Sequence, residues 1–239
     1  MPPYTLLTNA PIARDTHRMT LAGDTTAFTR PGQFVNIRLD GLYLRRPISV
    51  CSYTPDSLTL IYKVIGRGTA QMAALLPGAT LDLLVGLGNG FDPAPARGRR
   101  IALVGGGVGV PPLYGLCEAL RGEDITCVLG FRSAADAFYQ AEFEALGARV
   151  IVTTEDGSQG LRGHVTEALC SMDYQYYFAC GPLPMLRAVH ALGGAGQLSM
   201  EERMGCGFGA CMGCSCPTKA GAKRLCLEGP VLTSEEVIF

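Results

Sequence analysis

Five of the chain's 10 cysteines, Cys206, Cys211, Cys214, Cys216 and Cys226, crowd into its last stretch. Cys206-Gly207-Phe208-Gly209-Ala210-Cys211-Met212-Gly213-Cys214, followed by Cys226, reads C-x4-C-x2-C and then a distant C. That is the spacing of plant-type [2Fe-2S] ligation, in which four thiolates hold two irons. A loop wrapped around sulfur needs φ > 0 at some positions and N–H groups turned toward the sulfurs, which its glycines permit. Zinc more often takes pairs of C-x2-C knuckles, and one pair at most is in register here. Cys216 leaves a second set open, Cys211, Cys214, Cys216 and Cys226; the preferred ligands are Cys206, Cys211, Cys214 and Cys226.

Three further motifs suit phosphates and nucleotides. Gly105-Gly106-Gly107-Val108-Gly109-Val110-Pro111-Pro112 follows an apolar run and opens a helical one. Such a turn lets a pyrophosphate approach backbone N–H groups and the positive end of a helix, although close strand–helix packing also favours glycine. The pattern is not G-x-G-x-x-G, and Arg132, after the next strand, suits a 2′-phosphate or plain solvent, so NADH and NADPH both remain open. Arg45-Arg46-Pro47-Ile48-Ser49 offers a guanidinium for a diphosphate, a stiff proline and a hydroxyl for a flavin nitrogen. Gly66-Arg67-Gly68-Thr69 adds a second phosphate cradle, so two nucleotides are expected. Cys180-Gly181-Pro182 places a small residue and a glycine at the carboxyl end of a strand, where open α/β sheets bind ligands; an ordinary strand-to-helix turn has the same composition.

These motifs need two kinds of scaffold. From Tyr4 to Gly88, short β-branched runs such as Phe34–Leu39, Ile48–Val50 and Leu58–Ile65 are broken by Gly, Pro and Asp, as in a small antiparallel barrel or sandwich with one helix over Ala70–Leu76. From Arg99 the apolar runs Ile101–Val104, Ile125–Leu129, Val150–Thr153 and Tyr176–Ala179 alternate with helical segments, which implies a parallel, doubly wound sheet. The Pro- and Gly-rich stretch Asp92–Gly98 reads as a linker, giving segments 1–95, 96–200 and a cysteine-bearing 201–239.

Composition narrows the function further. With 48% hydrophobic and 17% charged residues the chain can bury a core, and a formal charge of −1 gives no field to gather nucleic acid. Met1–Ala10 lacks the pattern of a secretory leader and no long apolar span follows, so a soluble cytoplasmic protein is expected, its crowded cysteines serving a metal rather than disulfides. His17, His164 and His190 are scattered without ligand or triad spacing, and Cys51, Cys117, Cys127 and Cys170 read as small buried apolar residues. No catalytic acid, base or nucleophile is expected.

Taken in order, RRPIS, GRGT, GGGVGVPP, CGP and the cysteine loop resemble the ferredoxin reductase superfamily. The run Met200–Cys206 and Cys226-Leu227-Glu228-Gly229-Pro230-Val231 is similar, more narrowly, to the electron-transfer subunits of type 1B dihydroorotate dehydrogenases. The resemblance spans essentially the whole chain. It implies a flavin-binding β-barrel followed by an α/β nicotinamide domain and a [2Fe-2S] loop, with FAD on Arg46, Pro47, Ile48, Ser49, Ile61, Tyr62, Lys63, Gly68 and Thr69. NAD would lie on Gly105, Gly106, Gly107, Gly109, Cys180, Gly181 and Pro182, and the cluster on the preferred cysteine set. A flavin can exchange both hydride and single electrons, so the implied path runs from the FMN of a dihydroorotate-oxidising partner through cluster and FAD to NAD⁺, in pyrimidine (UMP) biosynthesis. The chain is too short to contain the partner's (β/α)8 barrel as well, so a hetero-oligomer is expected. Similar chains could serve a hydrogenase, a sulfide dehydrogenase or a ferredoxin:NADP oxidoreductase, and a nucleotide-sensing module with a zinc loop is the rival outside redox chemistry.

Overall fold

The computed structural model describes residues 3–239, so Met1 and Pro2 of the segment Met1–Ala10 lie outside the described residues. Strands β1 (Tyr4–Ala13), β2 (Thr16–Ala22), β3 (Phe34–Ile37), β4 (Arg46–Thr54), β5 (Ser57–Lys63), β6 (Thr80–Leu81) and β7 (Leu83–Leu87) form one antiparallel sheet in the order β6-β1-β2-β5-β4-β3-β7. Register shifts in the β1–β2, β3–β7 and β4–β5 pairs increase the local twist and curl it into a nearly closed barrel. Alternation then sends Met19, Leu21, Val35, Ile37, Leu58 and Leu60 inward. The helix α1 (Arg67–Ala73) begins three residues before the run expected from apolar spacing, so Arg67, Gly68 and Thr69 form its first turn.

The second sheet is built from β8 (Arg100–Gly106), β9 (Asp124–Phe131), β10 (Arg149–Thr154), β11 (Leu161–Arg162), β12 (Tyr176–Cys180), β13 (Gly196–Ser199) and, after the β14 (Ser215–Thr218) and β15 (Gly221–Arg224) hairpin, β16 (Val231–Thr233). Its order is β11-β10-β9-β8-β12-β13-β16, parallel except for β16. Helices α2 (Val110–Ala119) and α3 (Gln140–Ala145) cover one face, and α4 (Val165–Cys170) and α5 (Leu183–Ala191) the other. Both faces being covered, the strands are apolar throughout, which is why they read as continuous runs. Among the described residues no helix is long and apolar enough to cross a membrane.

The Asp92–Gly98 stretch is not a free tether. Phe91 is wholly buried edge-on to Phe178, and the Gln197 amide both accepts from the Asp92 N–H (2.9 Å) and donates to its carbonyl (2.8 Å). Across the seam, Lys63 Nζ on the barrel lies 3.0 Å from the Asp136 carboxylate, and Arg14 donates its backbone N–H to Ala135. Gly115 lets α2 approach β4, since a Cβ there would stand 2.7 Å from the Cys51 carbonyl oxygen. One expectation fails: Cys170, at the end of α4, is exposed, because the helix turns it away from the sheet. Phe91→Ala is expected to cost about 3–5 kcal/mol, as truncation of a fully buried aromatic does, and to lower the midpoint of urea unfolding.

Candidate functional site

The glycine motif sits differently from its sequence reading. Gly105 and Gly106 finish β8, and the turn proper is Gly107–Gly109, with Gly107 at φ +52°. A Cβ on Gly109 would strike the carbonyl of Cys180, so the close approach of two backbones brings the glycine turn and Cys180-Gly181-Pro182 together at the ends of β8 and β12. This is where the strand order reverses and the helices change faces, the place where doubly wound sheets take ligands. Burial pushes the Cys180 thiol up to about 12, so it stays neutral there. At the end of β9 Arg132 is exposed, while the Ser133 hydroxyl donates to Asp136 (2.7 Å).

On the barrel the two arginines of the Arg45-Arg46 pair have different tasks. Arg45 forks onto Asp82 through two bonds of 3.0 and 2.9 Å and donates to the carbonyl of Asn36, which ties β3, β4 and β7 at one end. Those bonds hold the Asp82 carboxyl below its usual range. Arg46 donates to the carbonyls of Leu44 (2.5 Å) and Arg45 (3.3 Å) and lies against Gly68, where a Cβ would overlap its guanidinium; among the described residues no carboxylate pairs with it, so its charge meets the first turn of α1. The first intrahelical bond runs from Ala70 N–H to Gly66, leaving the Arg67, Gly68 and Thr69 N–H groups at the helix head. Thr69 Oγ1 instead accepts from Ile65 (2.9 Å) and Gly66 (3.2 Å) and shapes that turn. Pro47 and Ser49 face outward from β4; Ile48 packs toward the barrel core.

The other expected flavin contacts are less available through their side chains. Ile61 is buried in the seam and Lys63 is paired with Asp136. Tyr62 points into the barrel and donates to Asn9 Oδ1 (3.0 Å), its phenol pushed up to about 12 by burial, so only its backbone remains for a ligand. A cleft of about 300 Å³ between α2 and the far end of β4, lined by Arg30, Cys51, Tyr53 and Glu118, includes none of the residues expected from sequence.

The cysteine loop folds back on its own sulfurs. The Cys206 and Cys211 N–H groups each donate to the other's Sγ (3.4 Å), Gly213 N–H donates to Cys211 Sγ (3.5 Å), and Cys226 N–H donates to Cys214 Sγ (3.4 Å). Gly207, Gly209 and Met212 take positive φ to turn these groups inward. Burial would raise the Cys206 thiol, but N–H groups of Phe208, Cys211 and Ala210 outweigh it and lower the group to about 6. Burial and the adjacent Cys214 sulfur hold Cys226 up at about 12. The sulfurs thus pair two by two, and among the described residues no three His, Cys, Asp or Glu side chains gather as for a single ion. Four soft sulfur donors with N–H groups turned toward them fit a two-iron cluster, which Cys206, Cys211, Cys214 and Cys226 would hold. Cys216 stands apart on β14, buried, its Sγ directed at the carbonyl of Pro217.

Sequence reasoning missed the residues that hold this loop. Arg224 forks onto Glu228 and donates to the Gly209 carbonyl (2.9 Å), with Glu228 drawn down to about 2 by the guanidinium. Their i,i+4 spacing beside Cys226 was a readable signal. Asn36 on β3 donates to the Cys206 carbonyl (3.4 Å), and Asn89 pairs with both backbone groups of Val231 (2.8 and 3.1 Å). No local pattern marks either asparagine.

A curled barrel joined to a doubly wound sheet, with phosphate-type turns on both and a cysteine loop between, defines an NAD-linked oxidoreductase chain of the ferredoxin reductase class. Comparison with known proteins narrows this. Residues 201–238 match the model of the iron-sulfur cluster binding domain of dihydroorotate dehydrogenase B, and residues 103–191 that of the oxidoreductase NAD-binding domain. The electron transfer subunit of dihydroorotate dehydrogenase B (NAD(+)) from Shouchella clausii (strain KSM-K16) is 41% identical over 98% of this chain and 97% of its own length. That from Bacillus caldolyticus is 44% identical over 95% of both. A chain of the NADH-dependent reduced ferredoxin-NADP oxidoreductase superposes with a TM-score of 0.88 at 29% identity, covering 100% of this chain and 90% of that one. The chain belongs to the family of dihydroorotate dehydrogenase B (NAD(+)) electron transfer subunits.

The paired geometry makes the cysteines separable. Cys216→Ser is expected to retain iron and the visible iron–sulfur absorbance of the parent, whereas Cys214→Ser loses both on purification; metal analysis per chain reads the difference.

Proposed function

We propose that the chain carries electrons between the FMN of a dihydroorotate-oxidising catalytic subunit and NAD⁺, by way of a [2Fe-2S] cluster and FAD, in de novo pyrimidine (UMP) biosynthesis. Cys206, Cys211, Cys214 and Cys226 hold the cluster. FAD is held by Arg46, Pro47, Ile48 and Ser49, by the strand Ile61–Lys63 through its backbone, and by Gly68 and Thr69. NAD docks over Gly105, Gly106, Gly107 and Gly109 with Cys180, Gly181 and Pro182. The division 1–95, 96–200 and 201–239 assigns one group to each segment, and the protein works as a soluble cytoplasmic hetero-oligomer.

The observation that carries this reading is the seating of the cysteine loop on the outer face of β3, beside the strand that bears Arg46 and Ser49. Phe34, opposite Ser49 on β4, packs in one apolar cluster with Cys214 and Cys226. Bound FAD would supply exchange between single electrons and hydride. Arg46, which pairs with no carboxylate among the described residues, offers a charge-assisted contact for a diphosphate beside the N–H groups of Gly68 and Thr69 at the helix head. Neutral Cys180 and the bare Gly107–Gly109 turn put no charge against a dinucleotide's ring or phosphates. Exposed Phe208, Met212 and Leu227 flank the exposed Cys211, an apolar rim suited to the partner subunit.

Two variants test the relay. Cys211→Ser should leave NADH reduction of bound flavin intact in stopped-flow absorbance while electron transfer to the catalytic subunit stops; undiminished partner reduction would sink the path through the cluster. Arg46→Ala should weaken FAD retention by about tenfold or more, as loss of a charge-assisted hydrogen bond implies, and equal flavin content after gel filtration would count against the assignment.

A further inference from the structure

We infer that Asn36 is a positioning residue for the cluster: its side-chain amide fixes the first cysteine ligand to the barrel and tunes how readily the cluster takes an electron. The inference rests on Cys206 being a ligand.

Asn36 is 1% exposed, on a strand whose other three residues, Phe34, Val35 and Ile37, are apolar. Val35 and Ile37 enter the barrel core, whereas Phe34 and Asn36 face out toward the cysteine segment. Asn36 Nδ2 donates to the Cys206 carbonyl at 3.4 Å. Gly207 stacks directly on the same amide, where a Cβ would overlap Nδ2, so the loop is seated on this one polar group. The orientation is unambiguous, because a carbonyl can only accept and the nitrogen must therefore face it.

The other end of the amide shows that stability alone does not account for the residue. Among the described residues nothing donates to the buried Asn36 Oδ1, a condition that costs about 1–3 kcal/mol. An apolar residue in this otherwise apolar strand would avoid that cost. What the asparagine contributes is the donor at Cys206, together with a dipole whose positive end points at the cluster loop. A donor held against the Cys206 backbone would favour the reduced, more negative state of a bound cluster, so the amide is expected to raise its midpoint potential. The backbone adds a connection: Asn36 stands opposite Pro47, and the Asn36 carbonyl accepts from Arg45 (3.3 Å). The first cluster ligand is thus joined through one side chain to the strand pair proposed to carry FAD.

The test compares Asn36→Leu, similar in size but unable to donate, with Asn36→Asp, nearly identical in shape but negative, in the complete complex. EPR-monitored redox titration of the cluster is the main readout. The expected order of midpoint potential is wild type above Asn36→Leu above Asn36→Asp, and iron should leave both variants about tenfold or more faster under a chelator, as for loss of other outer-shell partners. Potentials and iron loss equal to wild type in both variants would overturn the inference; equal potentials with faster iron loss would reduce Asn36 to a structural contact and overturn the tuning role. Should Asn36→Leu fail to fold, Asn36→Asp still decides the sign. Cys206→Ser separates this from the ligand assignment: if it keeps a native cluster signal, that assignment fails first, and if it loses the cluster while the Asn36 variants are unchanged, only the present inference falls.

Discussion

Two carboxamides that imitate a strand hold the parts of this protein together. Asn89, where the chain leaves the barrel, gives its amide to Val231 and takes that residue's N–H, and Gln197 on β13 does the same for Asp92. Each satisfies one donor and one acceptor of a backbone that would otherwise be buried unpaired, at a cost of about 1–3 kcal/mol per group. Together they bind the crossing between the two sheets to β13 and to the C-terminal segment. β16 can then close the edge of the parallel sheet, and the cysteine loop that precedes it is delivered to the barrel's outer face.

That arrangement explains why the chain runs barrel, sheet and then a return. The doubly wound sheet has its switch point at β8/β12, and on the barrel the first turn of α1 stands beside Arg46 at the start of β4. Among the described residues neither scaffold gathers a soft-metal site of its own. The C-terminal segment supplies one by spending its residues on glycine turns and N–H donors, and it relies on Arg224, Glu228 and β16 for the order it cannot generate itself. Its acidity follows from the same geometry: N–H groups aimed at Cys206 lower that thiol to about 6, while Cys226, buried beside Cys214, stays near 12.

Much of this was legible in the amino-acid order because the deciding interactions are local. Four cysteines within about twenty residues, glycines between them, and a glycine turn directly after a β-branched run each describe local chemistry, and the change from broken runs to continuous ones marks the passage from barrel to parallel sheet. The family follows from those motifs in their order.

What only the tertiary structure decided are choices between chemically equal neighbours. Arg45 and Arg46 are the same residue in sequence; Asp82, far along the chain, takes the first, while the second donates only to backbone carbonyls among the described residues. Cys214 and Cys216 are both buried cysteines two apart, and the β14–β15 pairing holds one beside Cys226 and the other against its own backbone. Tyr62 and Lys63 lose their side chains to Asn9 and Asp136, partners that no window of sequence contains. Asn36, Asn89 and Gln197 carry no motif, since a carboxamide acquires a task only when folding brings a backbone group within about 3 Å of it. Periodicity and spacing determine which elements and which chemistry exist; long-range packing determines which of several identical side chains is left to perform it.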